Sequence, residues 1–394
     1  MQADAKCPGR MLTGLRVVDL TTIVFGPYAT ETLADLGAEV IKVEAPGGDI
    51  MRKSGAPVRT EGMGACHMTL NRGKKSIVLD LKNGDDLEAM RQLIASADVF
   101  ITNVRQKALA RLGLDYEQVK AFHEGIVYVH CLGFGSGGRY RDLPAYDDVI
   151  QATTGAATLL SRVDGNVRPR FVPSLIADKV AGLHGAYASL AAIVHKLRSG
   201  EGQKVEVPLF ESFAHFLLQE HLFGGVFSPQ PYPMGYPRQL DPSRQPFPTA
   251  DGYLSIVLYT DKNAADLIAL IGDDQLKGDG RLHSAEGRRL NARHLHSEMA
   301  RLLPRRTTAE WTRLFEKAGI PSMPVCDLEQ VLDDGHLSDV GFFQTVEHPT
   351  EGSCLSLRAP VKFSAHAAPV LRPAPRLGEH DGELADLVQR QPVL

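Results

Sequence analysis

Short β-branched runs alternate with helix-patterned stretches through the first third of this 394-residue chain, and that alternation restricts its fold more than any other feature. Residues 17–20, 40–44, 76–81, 99–102 and 126–132 read as strands. Residues 28–36, closed by Gly37, lie between the first two, and 85–95 carry Leu87, Met90, Leu93 and Ile94 at helical spacing between the third and fourth. Strands joined through helices pair in parallel, because only a crossover can return the chain to the same edge. Right-handed crossovers then give an open, doubly wound α/β sheet with helices on both faces.

Downstream the texture changes. Residues 178–198 form a long Ala-rich helical stretch closed by Ser199-Gly200. Gly182 and Gly185 inside it would cost about 1 kcal/mol each relative to Ala. They predict close approach of another backbone, with a subunit contact as one candidate. A strand follows at 205–210. Residues 226–248 are rich in Pro, Tyr and Gln with weak periodicity and read as a linker or active-site loop. A strand at 252–258 and helices at 261–270, 294–303 and 308–318 then predict a smaller second domain. Thr307 or Thr308 is the expected N-cap of the last, and Gly319-Ile320-Pro321 its stop. A short helix is expected within 377–388.

The 43 Lys and Arg against 47 Asp and Glu leave a formal charge of −4, with 43% apolar residues. These values exclude a disordered chain and a supercharged nucleic-acid binder. Five scattered cysteines, Cys7, Cys66, Cys131, Cys326 and Cys354, contain no C-x-x-C, so neither a disulfide framework nor a zinc site is expected. His294 and His296 lie two apart on different sides of a helix, and no metal site is expected. No apolar run approaches 18 residues and no signal-peptide core precedes Arg16, which predicts a reduced, cytoplasmic protein with no membrane partner.

Few places can carry chemistry. The first βα turn, Thr21-Thr22-Ile23-Val24-Phe25-Gly26-Pro27, has one glycine. Without G-x-G-x-x-G its amides cannot close on a pyrophosphate, so dinucleotide binding is not expected. Gly133-Phe134-Gly135-Ser136-Gly137-Gly138 precedes charged, Pro-containing sequence and reads as a flexible loop. No G-x-S-x-G elbow is present. Residues 51–120 hold 12 Lys and Arg against 8 Asp and Glu, a local +4. Arg72, Lys74, Lys75, Lys82, Arg105, Lys107 and Arg111 fall near strand ends, where a doubly wound sheet binds ligands and phosphates require fixed cations. A solvated basic face explains the same residues equally well. Asp178, opening the Ala-rich helix, has the ordinary reading of an N-cap. A carboxylate there is also favoured in its ionised form and able to attack an activated carbonyl.

Taken in order, several motifs resemble the class III (CaiB/BaiF-type) CoA-transferases. They are Val17-Val18-Asp19-Leu20, Leu36-Gly37-Ala38-Glu39-Val40-Ile41-Lys42-Val43-Glu44, Asn71-Arg72-Gly73-Lys74-Lys75-Ser76-Ile77, Asn103-Val104-Arg105, Arg111-Leu112-Gly113, Pro173 through Asp178 to Gly182, Gly200-Glu201-Gly202-Gln203, Gly319-Ile320-Pro321 and Leu377-Gly378-Glu379-His380. The resemblance spans nearly the whole chain. It implies a Rossmann-like large domain built from 11–215 and 340–394, a linker or active-site loop at 216–248 and a small inserted α/β domain at 249–339. It also implies an interlocked-ring homodimer that moves CoA between an acyl-CoA and a small carboxylic acid. No cofactor is implied beyond CoA itself as substrate and product.

In that pattern Asp178 matches the nucleophile, which would pass through an aspartyl–acyl anhydride and an aspartyl-CoA thioester. Leu79, Lys82, Asn103, Val104, Arg105 and Arg111 match positions lining the CoA site. Val24 stands where oxalate-handling formyl-CoA transferases carry Gln, and their poly-glycine loop has no counterpart between Pro231 and Pro248, so oxalate is not the expected acceptor. A dicarboxylate such as succinate fits family habit, with Arg238 and Arg244 as candidate partners for a distal carboxylate or as plain loop arginines. Tyr146 and Asp147 match an aromatic and an acid near the active site. The related α-methylacyl-CoA racemases carry His at position 146. Tyrosine, with an ordinary pKa near 10, suits proton exchange poorly and favours transferase over racemase. The rival readings are an acyl-CoA racemase or epimerase, and an acyl-CoA-binding protein without chemistry.

Overall fold

A computed structural model describes residues 10–55, 59–366 and 372–394; Cys7 lies outside them. The chain divides into two compact units. One comprises Met1–Ala157, Arg170–Gln219 and Gly335–Leu394, the other Thr158–Pro169 and Glu220–Asp334.

The first unit is built on a six-stranded parallel sheet. Its strands are β1 (Arg16–Leu20), β2 (Glu39–Glu44), β3 (Lys75–Val78), β4 (Val99–Thr102), β5 (Val127–Leu132) and β6 (Gln203–Pro208). Their order is β3-β2-β1-β4-β5-β6, every pair parallel. The order therefore reverses between β1 and β4, and the crevice beyond the carboxyl ends of those two strands is where a sheet of this kind binds ligands. Helices α1 (Phe25–Asp35), α2 (Gly84–Ala95), α3 (Gln106–Leu112), α4 (Asp147–Thr153) and α5 (Ile176–Ser199) belong to this unit. One face of the sheet packs Val18, Ile41, Ile77, Phe100 and Tyr128 against Met90, Leu93 and Ile94 of α2. The strand read at 205–210 stops at Pro208, because Leu209 already opens the next helix.

The glycines of α5 have the predicted cause, and the partner lies in the same chain. A Cβ on Gly182 would stand 2.9 Å from the Tyr28 ring and 3.0 Å from the Phe25 carbonyl oxygen, and one on Gly185 would stand 3.1 Å from Ala29 Cβ. Helices α1 and α5 thus touch backbone to backbone. Because residue 182 meets 25 and 28 while 185 meets 29, the two helices run the same way, with their N-terminal turns side by side.

The second unit contains a three-stranded antiparallel sheet of β7 (Phe247–Pro248), β8 (Tyr253–Ile256) and β9 (Ser322–Pro324). Its helices include α6 (Asp261–Ile271), α7 (Ala292–Leu302) and α8 (Thr308–Ala318), which close on a core containing Leu254, Leu267, Met299, Trp311 and Phe315. Thr307 and Glu310 form the capping box that starts α8, and Gly319 in the left-handed region ends it. Arg238 lies over the Tyr259 ring and Arg244 donates to Gln239 Oε1, so both loop arginines are engaged within this unit. A hairpin, β10 (Phe343–His348) with β11 (Gly352–Leu357), and a final helix, α9 (Leu384–Gln389), return to the first unit.

Candidate active site

The carboxyl end of β1 is held by a buried ionic lattice. Asp19 is fully buried and accepts from Lys74 Nζ at 3.2 Å and from the hydroxyls of Thr21 and Thr30. Burial raises its proton affinity, but Lys74, Lys42 and the hydroxyls outweigh that and hold the carboxyl below its ordinary range. Lys74 also donates to Pro27 O and Asn71 Oδ1, and burial pushes its ammonium down to about 8 against the pull of Asp19. Lys42, likewise buried, reaches Thr21 O at 2.8 Å and Asp49 at 3.0 Å. Arg52 pairs with Glu44 through two nitrogens, at 2.8 and 2.6 Å.

The β1–α1 turn rests on this lattice. Ile23 has φ 73°, the left-handed region that a β-branched residue rarely enters. Its amide is gripped by both Asp49 carboxylate oxygens, at 3.1 and 3.2 Å. The neighbouring Thr22 is clipped to β4 by Asn103, which accepts from the Thr22 amide at 3.1 Å and donates to its carbonyl at 2.9 Å. Asn103 therefore ties together the two lips of the crevice.

Asp178 enters from α5. It is not the N-cap: that position is Leu175, which supplies no capping side chain, and Asp178 lies in the first turn. The cap comes instead from α4, where Asp147 Oδ1 accepts the Asp178 amide at 3.1 Å. Asp147 Oδ2 is held in turn by Gln151 Nε2 at 2.6 Å. Asp178 and Gly182 share one face of α5, and Gly182 sits on Phe25 and Tyr28, so the Asp178 turn abuts the β1–α1 turn. The Asp178 carboxyl is buried, and burial, with a smaller contribution from the Asp147 charge, pushes its pKa up to about 7. Little solvation then has to be stripped from it before it attacks an electrophile.

The remaining sequence candidates are distributed unevenly. Val24 is buried at the start of α1. Leu79 is buried in the sheet core, which leaves only its backbone for a ligand, and Val104 packs against that core. Lys82, Arg105 and Arg111 are exposed, although Arg111 Nε donates to Lys107 O. Tyr146 is 59% exposed at the N-cap of α4, whereas Asp147 beside it is buried. The basic block reads differently in three dimensions. Arg72 pairs with Glu31 and Asp35, Lys74 with Asp19, and Lys75 with Glu39 and Glu383. Those three cations are structural because strand β3 and the loop before it lie under α1 and the chain terminus. Sequence inspection missed Asp49 and Gln151. Gln151 was detectable only as the residue four positions after Asp147, on the same helical face.

Residues 12–381 match CoA-transferase family III, and the chain belongs to that family. It is 31% identical over 391 residues to a succinate–glutarate CoA-transferase of Agrobacterium fabrum, covering 95% of each chain. It is 30% identical over 387 residues to the succinyl-CoA:glutarate CoA-transferase of Homo sapiens, covering 96% of this chain and 86% of the human one. The crystal structure of a CaiB/BaiF family protein from Brucella suis superimposes with a TM-score of 0.83 at 30% identity, over 96% of this chain and 100% of that one. The protein is thus a CoA-transferase enzyme of the CaiB/BaiF type, acting on an acyl-CoA and a carboxylate. Among the described residues no helix is long and apolar enough to cross a membrane.

Proposed function

We propose that the protein moves CoA from succinyl-CoA to a second small carboxylic acid, with Asp178 as the nucleophile and CoA as substrate and product rather than resident cofactor. The observation that carries this reading is the buried Asp178 carboxyl, raised to about 7, in a helix turn whose Asp178 amide is capped by Asp147 beside the switch-point crevice. A carboxylate Oδ attacks the thioester carbon and expels CoA thiolate, leaving an aspartyl–acyl anhydride. The thiolate attacks the aspartyl carbonyl, the donor acid departs, and an aspartyl-CoA thioester remains. The acceptor carboxylate attacks that thioester and expels the thiolate again. Thiolate attack on the acceptor's acyl carbon then yields the new acyl-CoA and returns the free Asp178 carboxylate. Every step exchanges one carboxylate or thiolate for another, so no net proton moves.

Succinyl-CoA is favoured as donor because the Agrobacterium and human relatives carry succinate or succinyl-CoA in their names. Incubation with succinyl-CoA and a panel of acids, followed by mass detection of the new acyl-CoA, tests the assignment. Loss of CoA to water alone, or deuterium entry at the acyl α-carbon without exchange, would sink it.

Lys82, Arg105 and Arg111 are the exposed cations available for the nucleotide phosphates of CoA. Lys82→Ala and Arg111→Ala are each expected to raise KM for the acyl-CoA roughly three- to tenfold with kcat nearly unchanged, an effect that shrinks as salt rises. Unchanged KM in both variants would remove these residues from the CoA site.

The working unit is read as a homodimer in which the second unit is inserted into the chain of the first at two places, 158–169 and 220–334. Leu183, Tyr187, Val194 and Leu197 form an exposed apolar stripe along α5. Leu183 also lines an apolar cavity of about 470 Å³ with Tyr28, Phe342, Leu357 and Phe363. Apolar surface of this extent is normally covered. Light scattering in solution is expected to return twice the chain mass; the mass of a single chain at micromolar concentration would contradict it.

A further inference from the structure

Gln151 is completely buried in α4, one turn beyond Asp147. Its Oε1 accepts the Val172 amide at 2.8 Å, a group that can only donate, so the orientation of the carboxamide is settled. The Nε2 atom therefore faces acceptors: Asp147 Oδ2 at 2.6 Å, Ser174 O at 3.2 Å and Val172 O at 3.3 Å. Val172 to Ser174 is the strand of chain that leads through Leu175 into the first turn of α5. Pro173 within it has no amide to offer, and Leu175 provides no side-chain cap. One side chain thus does two jobs. It aims Asp147 at the Asp178 amide, and it binds the approach to the helix on which Asp178 stands.

We propose that Gln151 is the positioning residue of the transfer reaction, holding Asp147 and the entrance of α5 so that the Asp178 carboxylate is presented at a constant angle to the thioester carbon. This rests on Asp178 being the nucleophile. A space-filling role for Gln151 is a different claim, because the volume of the side chain could be supplied without its hydrogen bonds. Nucleophilic attack is sensitive to sub-ångström displacement of the attacking atom, whereas binding of the distant CoA moiety is not.

The experiment compares wild type with Gln151→Glu and Gln151→Met, each assayed for acyl exchange from pH 6 to 8 and for thermal unfolding. An introduced carboxyl would stand against Asp147 Oδ2, where repulsion between the two anions raises one of the two pKa values, so the pair keeps a shared proton at the lower pH and loses it as pH rises. The shared proton restores a donor toward Asp147. The deficit of Gln151→Glu relative to wild type is therefore expected to widen with pH, from a few-fold at pH 6 to tenfold or more at pH 8, in kcat and not in KM for the acyl-CoA. Gln151→Met, close to glutamine in length and shape and without donors, is expected to lose at least tenfold in kcat at every pH with KM within threefold. A deficit in Gln151→Glu that does not change with pH, or kcat within threefold of wild type in Gln151→Glu at pH 8 or in Gln151→Met at any pH, would overturn the proposal. If Gln151→Met does not fold, the pH trend of Gln151→Glu decides alone. Hydroxylamine trapping on the wild-type enzyme keeps the two readings separate: an adduct at Asp178 upholds the nucleophile whatever the variants do, and an adduct elsewhere refutes the nucleophile itself.

Discussion

Asp178→Asn is expected to lower CoA transfer by about a thousandfold or more while leaving the fold intact. The amide keeps the volume and the position in the first turn of α5 but removes the one protein nucleophile that the proposed route uses. Wild-type protein given acyl-CoA and hydroxylamine should yield a hydroxamate at residue 178, and the variant should not. Retained exchange in Asp178→Asn, after exclusion of deamidation by mass, would end the assignment. The same carboxyl sets a pH dependence. Only its ionised form attacks, and its pKa is raised to about 7, so kcat/KM should climb about tenfold per pH unit below that value and level off above it. The consequence for stability has the opposite slope. Below about pH 4 the carboxyl is neutral in both folded and unfolded chains. Between there and 7 the native state retains a proton that the unfolded chain releases, so stability declines as pH rises through the folded pKa. Asp178→Asn does not titrate and should therefore melt higher than wild type at pH 8, with the gap closing toward pH 4.

Lys74→Met is expected to unfold the protein far more readily than it impairs CoA binding, by about 3 to 5 kcal/mol, the usual cost of removing one member of a buried ion pair. Lys74 is buried and ties Asp19 to Pro27 O, Thr30 and Asn71 beneath α1. Without it Asp19 keeps the Thr21 and Thr30 hydroxyls and the more distant Lys42, but it is left as a buried carboxyl without its directly bonded cation. Urea unfolding monitored by far-UV circular dichroism measures the loss. Lys82→Ala, at an exposed position eight residues on, should leave the urea midpoint unchanged. A Lys74→Met protein with wild-type stability and weakened acyl-CoA binding would restore Lys74 to the phosphate site.

These two predictions separate residues that look alike along the chain. Lys74, Lys75 and Lys82 belong to one basic run, yet the first is enclosed, the second is shared between Glu39 and Glu383, and only the third is exposed and unpaired among the described residues. Glu383 is 308 residues away from Lys75, and no spacing rule joins positions so far apart. Asp147 and Gln151 illustrate the intermediate case. Their common helical face is a local fact, but its meaning comes from Val172, Ser174 and Asp178, which arrive from another element.

The strand and helix alternation, the glycine stops at 37, 200 and 319, and the family motifs were all present in the linear chain. Each of these depends on backbone sterics or hydrophobic period over fewer than about twenty residues. The sequence by itself therefore determined a parallel α/β sheet, a CoA-transferase resemblance and Asp178 as the residue to watch. Tertiary structure alone decided which charges are buried, that Asp178 is capped by a neighbour rather than acting as a cap, and that Asp49 holds Ile23 at φ 73°. The physical reason is that the state of a charged group is set by desolvation and by partners within a few ångströms. Those partners come from segments that only the completed sheet brings together.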